Sequence, residues 1–270
     1  MQNPSIQVVG VIRFSVLAEG FAISLYGGMD KLREYLFAKE SLEFRFHLFE
    51  NLGLPSLLRQ TDPDFQVVLL TSTELPDWAR ARLDEMVAPY PNLHILAEAP
   101  DKHNKLIRKA YQHIPAGEHT HRAAFRLDND DGLCTTFVER LKHLSQGLLR
   151  LHDEDVPTII SFNKGFYVEL DPDGPNNVYD TVEREPLSTG TTLLSRSDFK
   201  LNPYRYNHRA AAQHFNTYTE ISVPGFLRTI HDENIQRVLK RGVQEQLGPR
   251  RIARLIEEHF EMPFEAVQGL

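Results

Sequence analysis

The chain has 270 residues, 41% hydrophobic and 25% charged, with a net charge of −7 and a single cysteine, Cys134. That length buries a core without staples, so the composition excludes a mainly disordered chain, an internal disulfide framework and a cysteine-based zinc site. The acidic balance also argues against a nucleic-acid binder, whose affinity comes from a basic surplus, so a phosphorylated ligand would need a local cation or local Arg and Lys.

Gln7 to Phe14 is a near-continuous apolar run rich in β-branched residues, the pattern of a strand covered on both faces. Asp30 to Lys39 reads as a short helix. Phe44 to Arg59 has roughly helical apolar spacing, with a break expected at Gly53-Leu54-Pro55. Phe65 to Thr71 is a second buried strand. Pro76 to Val87 is a helix with proline in its first turn, where a missing N–H costs nothing. Asn92 to Leu96 is a third strand. Asp101 to His113 is a helix with Asp101 near its start, and Ala123 to Leu127 is a fourth strand. Thr135 to Leu151 is a long amphipathic helix and Thr158 to Phe162 another strand.

Lys164 to Leu170 pairs as a hairpin with Tyr179 to Val182. Thr191 to Leu194, Tyr218 to Val223 and Leu227 to Ile230 read as extended, and Asn234 to Lys240 and Pro249 to His259 as helical. Strand and helix alternate through the first 150 residues, which predicts an α/β fold with a mostly parallel sheet flanked by helices. The remaining residues are mixed and richer in turns. No run reaches the roughly 18 apolar residues of a spanning helix. The first residues lack a basic, then apolar, leader pattern. With one cysteine, the expectation is a cytoplasmic protein that meets a membrane only peripherally, at its inner face.

The chemistry concentrates at Asp128-Asn129-Asp130-Asp131, directly after the fourth strand. In open α/β sheets ligands bind beyond the carboxyl ends of the strands. Three carboxylates in four residues repel one another, and a divalent cation removes that penalty. Magnesium and manganese take one or two carboxylates plus phosphate oxygens. Asp128 and Asp130 share a face if the chain stays extended. A solvated acidic turn capping the next helix is the plainer alternative. An EF-hand is excluded, because with Gly132 as the loop glycine its first and last ligand positions fall on Leu127 and Val138.

The run Phe125 to Leu133 resembles the aspartate motif of a bacterial family described as rhamnosyltransferases. Val11-Ile12-Arg13-Phe14-Ser15, Leu54-Pro55-Ser56-Leu57, Gln60 to Phe65 and Ile230-His231-Asp232-Glu233-Asn234 are similar as well, so the resemblance runs from about residue 7 to 240. It implies a GT-A-type fold, Rossmann-related. Residues 1–150 would form the nucleotide-sugar half and 151–270 the acceptor-binding and C-terminal helical part, merged into one domain. It implies a manganese or magnesium ion on Asp128, Asp130, Asp131 and His231, bridging the phosphates of a nucleoside-diphosphate sugar. Asn129 stands where the all-aspartate version of the motif has another aspartate, at a middle position.

Three further residues join Asp128 as candidates for the nucleotide: Arg13 at a strand end, Arg126 inside a strand, and Lys105 on the preceding helix near Asn104 and Arg108. Arginine holds phosphate through its planar fork, whereas rim salt bridges and a solvated helix face are the plainer readings. Asp232 or Glu233 is the candidate base for an acceptor hydroxyl, with Glu185 a further carboxylate. The expected reaction is transfer of a sugar, rhamnose by the resemblance, to a glycan or lipid-linked acceptor. The alternatives are a nucleotide-sugar phosphohydrolase or nucleotidyltransferase, and a non-catalytic carbohydrate-binding protein. Neither a Gly-x-Gly-x-x-Gly nor a Gly-Lys-Ser/Thr phosphate loop is present.

Overall fold

The computed structural model describes residues 4–20, 23–151, 156–232 and 242–270. The expected helix over Asn234 to Lys240 and the candidate base Glu233 lie outside these residues. The first half runs β1 (Ile6–Arg13), β2 (Ala18–Glu19), α1 (Ile23–Tyr26), α2 (Met29–Phe37), α3 (Lys39–Leu48), a π-helical turn (Phe49–Gly53) and α4 (Leu54–Leu58). It continues with β3 (Gln66–Ser72), α5 (Asp77–Val87), β4 (Leu93–Glu98), β5 (Asp101–Lys102), α6 (His103–His113), β6 (His121–Asp128), β7 (Asp131–Leu133) and α7 (Phe137–Leu151). The rest is β8 (Thr158–Phe162), β9 (Lys164–Glu169), β10 (Asn177–Val182), β11 (Thr192–Arg196), a 3₁₀ helix (His208–Gln213), β12 (Asn216–Glu220), β13 (Phe226–Ile230), β14 (Val243–Gln244), α8 (Pro249–Phe260) and α9 (Phe264–Gln268).

A seven-stranded sheet has the order β12-β8-β11-β6-β1-β3-β4. Its pairs are parallel except where β11 meets β6 and β8. Side chains that alternate between two cores explain the unbroken apolar stretch Val8 to Ile12 in β1. Val8 and Ile12 pack into a core with residues of α3, α5 and α7. Val9 and Val11 pack into a second core with Leu106, Ile107 and Ala110 of α6. Both faces are dry, as the continuous apolar pattern requires. A five-stranded sheet, β14-β10-β9-β13-β7, holds the expected β9–β10 hairpin. Strands β8, β11 and β12 come from beyond residue 150 and β7 from before it, so both sheets draw on both halves of the chain. Among the described residues, no helix is long and apolar enough to cross a membrane.

Two local expectations are corrected. No break occurs at Gly53-Leu54-Pro55: α3 passes through the π turn directly into α4, with the Leu54 N–H bonded to the Phe49 carbonyl. Proline lacks an N–H and its ring crowds the carbonyl four residues back, and the wider turn accommodates both. Asp101 does not cap α6, because it pairs in the short β5 strand with β2, and Lys102 takes the N-cap position.

Candidate functional site

Strands β1 and β6 are parallel neighbours, and their last residues, Arg13 and Asp128, stand opposite each other in register. Arg13 Nη2 donates to Asp128 Oδ1 at 2.6 Å. Burial alone would raise Asp128, but the charges of Arg13 and Arg126 outweigh it and hold the carboxyl below the usual range. The chain then turns through Asn129 and Asp130 and enters the other sheet at Asp131, the first residue of β7. Strand β13 lies antiparallel beside β7, with Arg228 opposite Asp131. The acidic motif is therefore the crossing between the two sheets.

Each aspartate has its own surroundings. Asp131 is 2% exposed. Its carboxylate accepts from the Thr189 hydroxyl at 2.5 Å and from the Thr229 N–H at 3.2 Å. Burial, and then the neighbouring charge of Asp130, push it well above the usual carboxylate range. Asp130 Oδ2 lies 2.9 Å from His231 Nε2, and the Thr229 hydroxyl donates to the Asp130 carbonyl at 2.9 Å. The His231 ring rests edge-on against Phe44, with centroids 4.9 Å apart. Among the described residues, no three His, Cys, Asp or Glu side chains gather as a metal cluster. Asp130 and His231 are the pair the fold brings together.

These residues open on a cavity of about 370 Å³. Arg13, Arg126, the three aspartates and His231 all line it. Lys105 does not: it forms a surface pair with Asp101, at 2.5 Å, on α6. Asp232 is exposed just past His231 and does not line the cavity. Glu185 is half-buried beside Arg209, at 3.4 Å.

Sequence reasoning missed His103, and it left the aromatic-rich segment from Tyr204 to Phe215, with His208 in it, open between a sugar-site lining and a packed helix. Tyr204 donates to the Val11 carbonyl at 3.1 Å and lies beneath Arg126, whose guanidinium carbon is 4.1 Å from the ring centroid. His103 and His208 complete that wall of the cavity. Burial, with nearby arginines adding to it, pushes His103 down to about 4 and His208 down to about 2. Arg228 was also missed, although an arginine inside the apolar stretch Phe226 to Ile230 carries the same signal as Arg126 in β6. The Ser188 to Thr192 stretch is a brace. Besides the Thr189 bond to Asp131, the Gly190 N–H donates to the Arg126 carbonyl at 2.9 Å.

The segments outside the motif explain themselves by where they pack. Gln60 donates to the Ser56 and Cys134 carbonyls, at 2.8 Å each, and accepts from the Val138 N–H at 2.9 Å. Lys142 reaches back from α7 to Asp62 and Asp64, at 2.9 Å. Together these contacts clasp α4 and the following loop to the far side of the acidic turn. The sequence matches the family described as "Putative rhamnosyl transferase" over residues 7–241. The chain belongs to that family.

That family's description names transfer of a sugar. Of the segments that carry the resemblance, two meet at the acidic turn, with Arg13 on Asp128 and His231 on Asp130, and Gln60 bonds to Cys134 just past it. No curated protein sequence matches the chain. Similar solved structures include S. aureus TarS 1-349 in complex with UDP-GlcNAc, at 12% identity and TM-score 0.45, covering 93% of this chain and 65% of that one. This chain thus spans less than two thirds of that TarS chain. A protein of Desulfovibrio desulfuricans G20 described as "putative nucleotide-diphospho-sugar transferase" matches at 8% identity and TM-score 0.36, over 85% and 83% of the two chains. The 4-diphosphocytidyl-2C-methyl-D-erythritol synthase of Anaerococcus prevotii DSM 20548 matches at 9% and 0.36, over 87% and 92%.

Proposed function

We propose that this protein transfers a sugar, rhamnose by the family's description, from a nucleoside-diphosphate donor to a hydroxyl of a glycan or lipid-linked acceptor. The observation that carries this reading is the Asp130–His231 pair set in an arginine-lined cavity at the carboxyl ends of β1 and β6.

The pair fits a divalent cation. Two donors held at adjacent positions of an octahedral magnesium- or manganese-sized ion sit about 3 Å apart, and Asp130 Oδ2 and His231 Nε2 are 2.9 Å apart. Imidazole favours manganese of the two. Such ions complete their shell with water and phosphate oxygens, so a cage of three or four side chains is not required. Asp128 and Asp131 support from behind, one paired to Arg13 and the other held by Thr189 and Thr229. A bound ion would neutralise charge on the leaving diphosphate. We assign to Asp232, next in sequence to His231 and exposed outside the cavity wall, the role of taking the acceptor's proton.

The test is release of nucleoside diphosphate from a panel of sugar nucleotides, rhamnose donors included, with manganese, with magnesium and with chelator. We expect one donor to be consumed only when acceptor is present. Asp130→Ala should lower turnover by on the order of 10²-fold or more, and Asp232→Asn should lower kcat while donor binding persists. Full activity of Asp130→Ala would remove the metal assignment, and a panel left intact would remove the donor reading.

A further inference from the structure

The chain as a whole is acidic, yet its cavity is not. Five arginines, Arg13, Arg45, Arg126, Arg205 and Arg228, line it against three aspartates. One oxygen each of Asp128 and Asp130 is engaged, by Arg13 and His231, and both oxygens of Asp131 are held by Thr189 and Thr229. Donors are in surplus. Arg126 Nε, Arg228 Nη1, Asn129 Nδ2 and Ser188 Oγ are all buried with no hydrogen-bond partner among the described residues, and all four residues line this cavity.

Unsatisfied buried donors are costly and normally rare. Four together in one cavity call for a ligand rich in acceptors and negative charge. A single carboxylate offers two oxygens and one charge, which two guanidinium forks exceed. A diphosphate offers acceptors on two linked phosphorus centres and at least two charges, and it suits paired forks. Arg126 projects from β6 of the seven-stranded sheet and Arg228 from β13 of the five-stranded one. The Tyr204 ring under Arg126 supports the face of that guanidinium.

We propose that Arg126 and Arg228 form a two-armed clamp on the diphosphate of the nucleotide sugar, one arm from each sheet, that holds the donor without a divalent cation. The proposal rests on the donor reading above and adds to it which residues carry donor affinity when no ion is bound. The ion then serves chiefly the reaction and the clamp chiefly binding. A purely structural arginine would behave differently: its loss would weaken nucleoside and diphosphate binding alike. Because Arg126 acts on Asp128 and Arg228 on Asp131, loss of either should lower the melting temperature and still spare nucleoside binding.

The experiment is calorimetric titration of nucleoside diphosphates into the full chain in chelator, then in manganese, with the matching nucleoside and inorganic pyrophosphate as separate arms. Thermal melting of each free variant accompanies it. Wild type should bind one nucleoside diphosphate in chelator. Arg228→Met and Arg126→Met should each weaken that binding at least tenfold and change nucleoside binding less than twofold. Arg228→Lys, which keeps the charge but loses the fork, should fall between.

Diphosphate binding that appears only with manganese would overturn the clamp and leave the donor reading standing. So would arginine variants that bind diphosphate as wild type does, or that lose nucleoside binding equally. Binding of pyrophosphate without any nucleoside diphosphate would assign the anion site to a phosphate outside the donor. Absence of all nucleoside-diphosphate binding, with or without manganese, would overturn clamp and donor reading together.

Discussion

His103 and His208 sit in the cavity wall as neutral rings, and that makes the fold's stability respond to acid. Burial first, then the charges of Arg13 and Arg126, lower His103 to about 4. An unfolded histidine titrates near about 6.5. Between those values the unfolded chain binds a proton that the folded chain refuses, so stability falls as pH drops through that window and is fully present above about 6.5. The His103 share is at most about 3 kcal/mol by the usual conversion. His208 adds a term of the same sign that extends to lower pH. Melting temperature recorded from pH 7 to pH 4 should therefore decline, and His103→Gln should flatten part of that decline. An unchanged slope in the variant would show that His103 is not the group being protonated.

At the scale of elements, the acidic turn rests on the π turn. A Cβ on Gly53 would lie 2.6 Å from the Asn129 carbonyl oxygen and 2.9 Å from the Phe49 ring. Gly53 has ordinary helical backbone angles, so the constraint is space and not conformation. Gly53→Ala must push Asn129, and with it Asp128 and Asp130, out of place. It should cost about 1–3 kcal/mol and reduce turnover as well. Gly147 in α7 has open space around its missing Cβ, so Gly147→Ala should gain about 0.5–1 kcal/mol through helix propensity and leave turnover alone. Denaturant melts and initial rates on both variants check the contrast, and equal effects would break it.

This junction also shows what the sequence conceals. Gly-Leu-Pro reads locally as a helix break, because nothing in three residues announces that a wider turn will absorb the proline. The strands were legible for the opposite reason, since burial on both faces writes itself as continuous apolar runs, as in Val8 to Ile12 and Val67 to Leu70. The aspartates were legible as a cluster at a strand end. Their division of labour was not, because it depends on Thr189, Thr229 and His231, which lie 58 to 101 residues away along the chain. Lys105 misled because helix position alone does not say which face a long side chain takes, and Asp101 one turn earlier holds it at the surface.

Across the whole molecule, the site is where two sheets meet, and that has a thermodynamic consequence. Asp128 closes a strand of the seven-stranded sheet and Asp131 opens one of the five-stranded sheet, with Arg126 on one side and Arg228 on the other. A ligand that engages both arginines binds only when the sheets are correctly docked, so its binding energy adds to the docking of one sheet on the other. At a ligand concentration of 100 times Kd the gain is about 2.7 kcal/mol. For a chain of this size that is a rise of roughly 5–10 °C in melting temperature.

The location of the gain is more telling than its size. Amide hydrogen exchange with bound nucleoside diphosphate should slow in β1 and β6 and, to a comparable degree, in β7 and β13, because opening either sheet at the crossing releases the ligand. A ligand held by the seven-stranded sheet alone would protect β1 and β6 and leave β7 and β13 exchanging as before. That pattern would place the diphosphate away from Arg228, and the crossing would then serve only to shape the aspartate turn.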